Sequence, residues 1–168
     1  MHGYETTTVR MVAQAAGVSP GLVTRYFESK EALFLSTTAV GLDIAVVLDG
    51  PRSEFGARLA ARIVDRWQRE QADDPLLILL RAAGARPQAA TALARFLERE
   101  STGPLLVQLR AYGLTEPQAV GRAASLEAFI MGAVMSRRVL PPRVPETAKD
   151  LRTWLAVSLQ SLLDHPSC

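Results

Sequence analysis

The sequence predicts an all-α fold, in which a short N-terminal helix-turn-helix is followed by a longer helical domain. Apolar residues recur at helical spacing along nearly the whole chain. No stretch alternates strictly enough between apolar and polar residues to predict a strand. The chain has 168 residues, 48% of them hydrophobic, so it is long enough for a substantial core in one or two domains.

The first two predicted helices are short, and a tight turn joins them. The first helix follows Thr8, a good N-cap residue, and Gly17 ends it. The second helix begins after Ser19, with Pro20 in its first turn, where proline is favoured. This spacing sets two short helices at a steep angle, which allows the second to project into a DNA major groove.

The rest of the chain is also predicted to be helical. A third helix runs from Lys30 to about Leu48, where an Asp-Gly-Pro turn ends it. Further helices are predicted over residues 53–72, 75–85, 87–100, 104–112, 116–140 and 147–165. Residues 141–145 contain three prolines and therefore form a non-helical link between the last two helices.

Composition excludes several classes of site. Cys168 is the single cysteine and the chain has two histidines, so neither an intrachain disulfide nor a Cys/His zinc site is expected. The N-terminus has no apolar signal-peptide segment, and no uncharged run reaches the roughly 20 residues of a membrane span. We therefore expect a cytoplasmic protein without metal, cofactor, catalytic residues or membrane partner. A net charge of +2 neither requires nor forbids a nucleic-acid partner.

The segment from Thr6 to Leu33 gives the strongest functional signal. Its inward positions are apolar, namely Val12, Ala13, Val18, Val23 and Phe27. Its outward positions have short or hydrogen-bonding side chains, namely Ser19, Pro20, Gly21, Thr24, Arg25 and Tyr26. A helix that lies against base edges and phosphates must present such a face.

This segment resembles the DNA-binding motif of the TetR/AcrR transcriptional repressors of bacteria. About a fifth of the chain matches in order and with the family's spacing. The matching residues are Gly3-Tyr4, Thr7-Thr8-Val9-Arg10, Val12-Ala13, Ala16 to Gly21, Arg25, Phe27, Ser29-Lys30-Glu31 and Leu33. The resemblance implies a homeodomain-like helix-turn-helix domain over residues 1–35. It implies a TetR-like domain for effector binding and dimerisation over residues 36–168.

The resemblance also implies which residues contact double-stranded DNA. Nearest the bases are Ser19, Pro20, Gly21 and Leu22, and on the phosphate backbone are Thr8, Arg10, Tyr26 and Lys30. Arg25 is expected to donate to a guanine or to bind a phosphate. Thr24 stands where the family usually has a tyrosine, so its shorter side chain predicts lower affinity or an altered base preference.

Two features predict weak binding by this chain. The family has a whole helix before the Gly3-Tyr4 pair, but only two residues precede that pair here, so the motif is expected to be incomplete at its N-terminus. The three basic and three acidic residues of positions 1–35 cancel, namely Arg10, Arg25 and Lys30 against Glu5, Glu28 and Glu31. Because DNA affinity depends on neutralising phosphates, we expect weak and strongly salt-sensitive binding.

The last two helices predict a homodimer. Residues 126–135 are apolar nearly all the way round, and such a helix must be buried on more than one side. A second copy of the chain could cover this helix in a dimer, and the alternative is that the helix is buried inside a monomer. The interface is predicted to include Ala128, Phe129, Gly132 and Trp154. By the resemblance, the same domain would enclose a small, mostly apolar effector.

Other functions remain open at this point. The chain could be a helical dimer that binds a ligand or protein and has lost DNA binding. Residues 17–21 also match G-x-S-x-G, the nucleophile motif of serine hydrolases, although the strand that this motif requires is not predicted. Arg58, Arg62, Arg66 and Arg69 recur at helical spacing, and nearby acidic residues favour a solvated, salt-bridged face. By the resemblance, Trp67, Phe96 and Tyr112 lie in helices that surround an effector pocket, but core packing is the favoured interpretation of each.

Overall fold

A computed structural model of the chain describes residues 4, 6–37, 42–69, 75–138, 140, 144–145 and 147–165. These residues form helices and turns with no strand among them, which confirms the all-α prediction. The helices are α1 (Val9–Ala15), α2 (Pro20–Phe27), α3 (Lys30–Thr37), α4 (Ile44–Leu48), α5 (Phe55–Arg69), α6 (Pro75–Ala83), α7 (Pro87–Leu97), α8 (Gly103–Ala111), α9 (Glu116–Arg138) and α10 (Ala148–Asp164).

Two of the predicted helix boundaries are wrong. The helix predicted from Lys30 to Leu48 is two helices, because α3 ends at Thr37 and α4 follows Asp43, whose φ of 50° is left-handed. The break predicted between residues 100 and 104 is bridged by a π-helical turn, Glu98–Thr102, which runs directly into α8. Pro104 does not interrupt this turn because it lies in the first turn of α8, where its missing N–H is tolerated.

The chain divides into two compact units, and the first contains residues 1–40 and 75–94. Its helix-turn-helix has a small core of Ala13, Val23 and Leu33, with Val9, Val12 and Phe27 packed around it. A second cluster unites α3 with α6 and α7. It contains Leu79, Ala82 and Ala89, with Tyr4, Phe34 and Leu35 packed against them.

The second unit contains residues 41–74 and 95–168. Leucines at every fourth position along α10 form its central stripe, and Leu151, Leu155, Leu159 and Leu163 are all fully buried. Fully buried residues from α5, α8 and α9 complete the core, including Phe55, Leu59, Leu105, Leu109 and Leu126. This stripe of α10 therefore packs into the core of the second unit.

The helices α5 and α10 pack closely together at Gly56. A Cβ atom there would lie well inside the van der Waals contact distance of the Ala156 carbonyl oxygen and 2.8 Å from the backbone nitrogen of Gln160. The amide of Gly56 donates to Oε1 of Gln160 (2.9 Å), and Nε2 of Gln160 donates to Asp164 (2.8 Å). The hydrogen bond from Gln160 holds the pKa of Asp164 below its usual value, and Arg52 acts in the same direction.

Two arginines of α5 bind both ends of the short helix α4. Arg58 donates to the carbonyl oxygens of Val47 (3.0 Å) and Leu48 (3.2 Å), which lie at the end of α4. Arg62 donates to the carbonyl of Leu42 (3.2 Å) and to the carboxylate of Asp43 (2.8 Å), just before α4. The sequence pattern favoured a solvated, salt-bridged face here; Arg58 and Arg62 do form ion pairs, with Glu54 and Asp43, but both side chains are partly buried and also bind backbone carbonyl oxygens.

The helix α9 is long and apolar, and most of its residues are buried or half-buried within the second unit. By length and composition it could span a membrane, and 22% of its most apolar window is fully buried. Its charged side chains bind neighbouring helices: Arg122 donates to the Leu162 carbonyl (2.7 Å), and Glu127 accepts from Thr102 (2.7 Å). These bonds make α9 a packed element of the second unit.

Candidate nucleic-acid interface

The helix-turn-helix is built from two capped helices and a glycine turn. The Thr8 side chain accepts from the amide of Met11 (3.2 Å) and the Ser19 side chain accepts from that of Leu22 (3.3 Å), so both predicted N-caps are present. Between the helices, Gly17 has a φ of +68°, and the amide of Val18 donates back to the carbonyl of Ala13 (3.0 Å). The left-handed conformation of Gly17 ends α1 and turns the chain towards α2.

One flank of α2 faces solvent with side chains that suit a DNA groove. Arg25 is exposed and makes no hydrogen bond or ion pair with the residues that the structure describes, and Tyr26 is 74% exposed. Leu22 is 41% exposed, and nothing lies within 4 Å of the position that a Cβ of Gly21 would occupy. The flank is therefore open to a partner, and its Gly21 allows close approach.

Thr24 lies on the same open flank, but its hydroxyl is already engaged. Its Oγ1 donates to the carbonyl of Pro20 one turn earlier (3.1 Å). The side chain can still accept a hydrogen bond, but it has no second proton to donate to a phosphate. This geometry adds a physical reason to the expectation that threonine binds DNA less well here than a tyrosine would.

Two further predicted DNA residues, Arg10 and Lys30, lie on α1 and α3. Arg10 is exposed in the first turn of α1, next to the Thr8 cap. Lys30 is the first residue of α3, directly after Ser29, whose side chain accepts from the amide of Ala32 (3.0 Å). Lys30 is thus in the first turn of α3, where the helix N-terminus also favours an anion.

The G-x-S-x-G match does not form a nucleophile elbow. It follows the helix α1 instead of a strand, and the hydroxyl of Ser19 caps α2. An elbow needs a strand before the serine, so that the side chain stands exposed at a sharp strand-to-helix turn. The serine-hydrolase interpretation is therefore not supported by the fold.

The four residues predicted at the dimer interface lie on α9 and α10. Ala128 and Gly132 are exposed one turn apart on α9. Phe129 and Trp154 are half-buried and contact each other, with ring centroids 5.2 Å apart. These two rings belong to the margin of the core of the second unit.

Comparison with known protein families identifies both parts of the chain. Residues 1–37 match the model for bacterial regulatory proteins of the tetR family. Residues 53–163 match the model for the tetracyclin repressor-like C-terminal domain. The chain belongs to the TetR family. It is accordingly a DNA-binding transcriptional regulator of the TetR type. A search of curated proteins gave no significant match.

Membership of the TetR family agrees with the resemblance found in the helix-turn-helix residues. A helical dimer that has lost DNA binding is disfavoured, since both the N-terminal and the C-terminal models match. One contact at the motif was not predicted from the sequence: Tyr4, before α1, touches the first turn of α3. Only its place in the Gly3-Tyr4 pair of the motif could have drawn attention to it.

Proposed function

We propose that this TetR-family regulator is a homodimeric, ligand-responsive repressor that binds a palindromic operator through α2. The open flank of α2 carries this proposal, because it combines an exposed arginine, an exposed tyrosine and a glycine on a helix capped at Ser19. Two such helices related by a twofold axis would enter neighbouring major grooves, about one duplex turn apart.

The residues in contact with DNA are proposed from the family resemblance and the open flank. Arg25 reads a guanine or binds a phosphate, while Ser19, Pro20, Gly21, Leu22 and Thr24 lie against the base edges. Thr8, Arg10, Tyr26 and Lys30 bind the phosphate backbone. Since acidic and basic residues cancel over positions 1–35, most of the affinity comes from pairing two motifs in a dimer.

The exposed side of α9 is proposed to pack against a second copy of the chain. The exposed positions along this helix recur one turn apart and include the small residues Ala128 and Gly132. Small residues let a partner helix approach closely, and a twofold axis would bring the same stripe of each protomer together.

The effector is proposed to be a small, mostly apolar molecule bound within residues 36–168. Its binding would favour a state with low DNA affinity, so that the operator is released by a shift in population. No metal or cofactor takes part in this scheme, and we place the protein in the bacterial cytoplasm, at the nucleoid when bound to DNA.

Selection of duplexes from a randomised pool by the full chain tests the proposal. The enriched sequences should be inverted repeats with half-site centres about 10 bp apart. Arg25→Ala should weaken binding to the selected duplex by about tenfold or more per half-site, since a bidentate arginine–guanine pair contributes about 1–3 kcal/mol. Arg69→Ala, a change of an exposed arginine on α5, is the matched control. Failure to enrich any sequence would contradict the proposal.

A further inference from the structure

Tyr4 contacts three side chains at the beginning of α3. Its hydroxyl donates to Oε1 of Glu31 (2.9 Å), and its ring lies 4.6 Å from that of Phe34, centroid to centroid. The Nζ of Lys30 lies 4.2 Å from the centre of the same ring, well within range of a cation–π interaction. Glu31 is only 6% exposed, so the hydrogen bond that fixes the ring is shielded from water.

The kind of partner matters for a lysine that binds phosphate. A free lysine side chain samples many rotamers, and it loses this conformational entropy when the ammonium binds one phosphate oxygen. An aromatic ring restrains the ammonium, and N–H groups that point away from the ring can still donate.

We propose that Tyr4 is a positioning residue for DNA binding, whose ring holds the Lys30 ammonium beside the N-terminus of α3 to receive a backbone phosphate. This inference depends on the proposed function, because it assumes that Lys30 contacts DNA. The contacts with Glu31 and Phe34 fix the ring, and the ring in turn orients Lys30 before the duplex arrives.

Fluorescence anisotropy over a range of salt concentrations tests this role with the full chain and a labelled duplex of about 24 bp, long enough for two half-sites. The variants are Tyr4→Phe, Tyr4→Leu, Lys30→Met and the double variant. Tyr4→Leu should weaken binding about threefold per protomer, which is about tenfold for a dimer. Tyr4→Phe keeps the ring but loses the hydrogen bond to Glu31, so its loss should be smaller than that of Tyr4→Leu.

The salt dependence and the double variant separate positioning from a merely structural role. Lys30→Met should reduce the slope of log K against log salt by about 0.9 per lysine lost, and Tyr4→Leu should move the slope towards that value. Tyr4→Leu should add no further loss in the Lys30→Met background. An equal loss in both backgrounds with an unchanged slope would overturn the proposal.

The same titration distinguishes this proposal from the proposed function. If the unmodified protein does not bind any duplex, including those from the selection, the proposed function and the role of Tyr4 are both overturned. If it binds and Tyr4→Leu binds equally well with the same slope, only the role of Tyr4 is overturned.

An NMR measurement on the unmodified protein keeps the proposal falsifiable if Tyr4→Leu does not fold. The chain has only two lysines, Lys30 and Lys149, so their ε-methylene NMR signals can be assigned readily. The Tyr4 ring should shift the Lys30 signal upfield, while exposed Lys149 on α10 gives the reference. The upfield shift should persist when duplex is added. Coincident signals, or loss of the shift on adding duplex, would overturn the proposal.

Discussion

Arg58 donates from Nη2 to the hydroxyl of Tyr112 (3.1 Å), and both side chains bind carbonyl oxygens at the end of α4. Arg58 binds those of Val47 and Leu48, and Tyr112 donates to that of Gly50 (3.0 Å). The last carbonyls of a helix have no partner within the helix, so side chains must satisfy them. The pair therefore determines where α4 ends and holds it to α5 and α8.

Removal of Arg58 should destabilise the second unit substantially. Arg58→Met should lower the free energy of unfolding by roughly 2–3 kcal/mol, because charge-assisted hydrogen bonds to partly buried carbonyls are lost. Tyr112→Phe should cost about 0.5–1.5 kcal/mol, and the two losses should not add, since the side chains share a hydrogen bond. Urea unfolding of the two single variants and of the double variant measures these losses. Arg69→Met on the exposed face of α5 should stay within about 0.5 kcal/mol of the unmodified protein, and a similar loss there would contradict this assignment.

Substitution at Gly56 should separate α5 from α10. Gly56→Ala places a methyl group against the Ala156 carbonyl and the backbone of Gln160, so we expect a loss of about 1–3 kcal/mol by overpacking. Gly121→Ala is the control, because nothing lies within 4 Å of its Cβ position inside α9. That change should stabilise the protein by up to about 1 kcal/mol through helix propensity. Thermal unfolding should show opposite signs, and equal signs would refute the close approach.

Glu28 ends α2 with a φ of 58°, a left-handed conformation that strains a residue with a side chain. Glu28→Gly should relieve this strain and raise the free energy of unfolding by up to about 1 kcal/mol. Glu28→Ala retains the strain and should not stabilise. Both changes remove a negative charge beside the proposed interface, so both should tighten duplex binding. Calorimetry measures the change in stability and fluorescence anisotropy measures the change in duplex affinity. A Glu28→Ala variant that is more stable than the unmodified protein would show that strain is not involved.

The exposed stripe of α9 should control the oligomeric state. Ala128→Arg places a charged side chain in the proposed twofold contact, so light scattering should give a monomer of 18.2 kDa where the unmodified protein gives a dimer. Ala111→Arg, at an exposed position ending α8, should leave the dimer intact. A dimeric Ala128→Arg variant would remove this face of α9 from the interface.

The sequence predicted the local features of the motif because they depend on neighbouring residues. The Thr8 and Ser19 caps, the Gly17 turn and the Val23 core position all follow from spacing within a few residues. The break before α4 was missed because the apolar pattern continues through residues 30–48. The roles of Arg58 and Tyr4 were missed because each depends on partners brought close only by folding.

The π-helical turn at Glu98–Thr102 was also missed, for a different reason. Pro104 normally indicates a new helix, yet here its lack of an N–H falls in the first turn of α8, which directly continues the π-helical turn. A proline therefore marks a change of backbone pattern, and the sequence alone does not say whether the helix stops or shifts register.

The most direct test of the central claim is an amide NMR titration of the full chain with its selected duplex. The amides of residues 8–30, and above all those of Gly21, Leu22 and Arg25, should shift most, and adding salt should reverse the shifts. Shifts concentrated in α9 and α10 with α2 unperturbed would contradict DNA recognition by the open flank of α2.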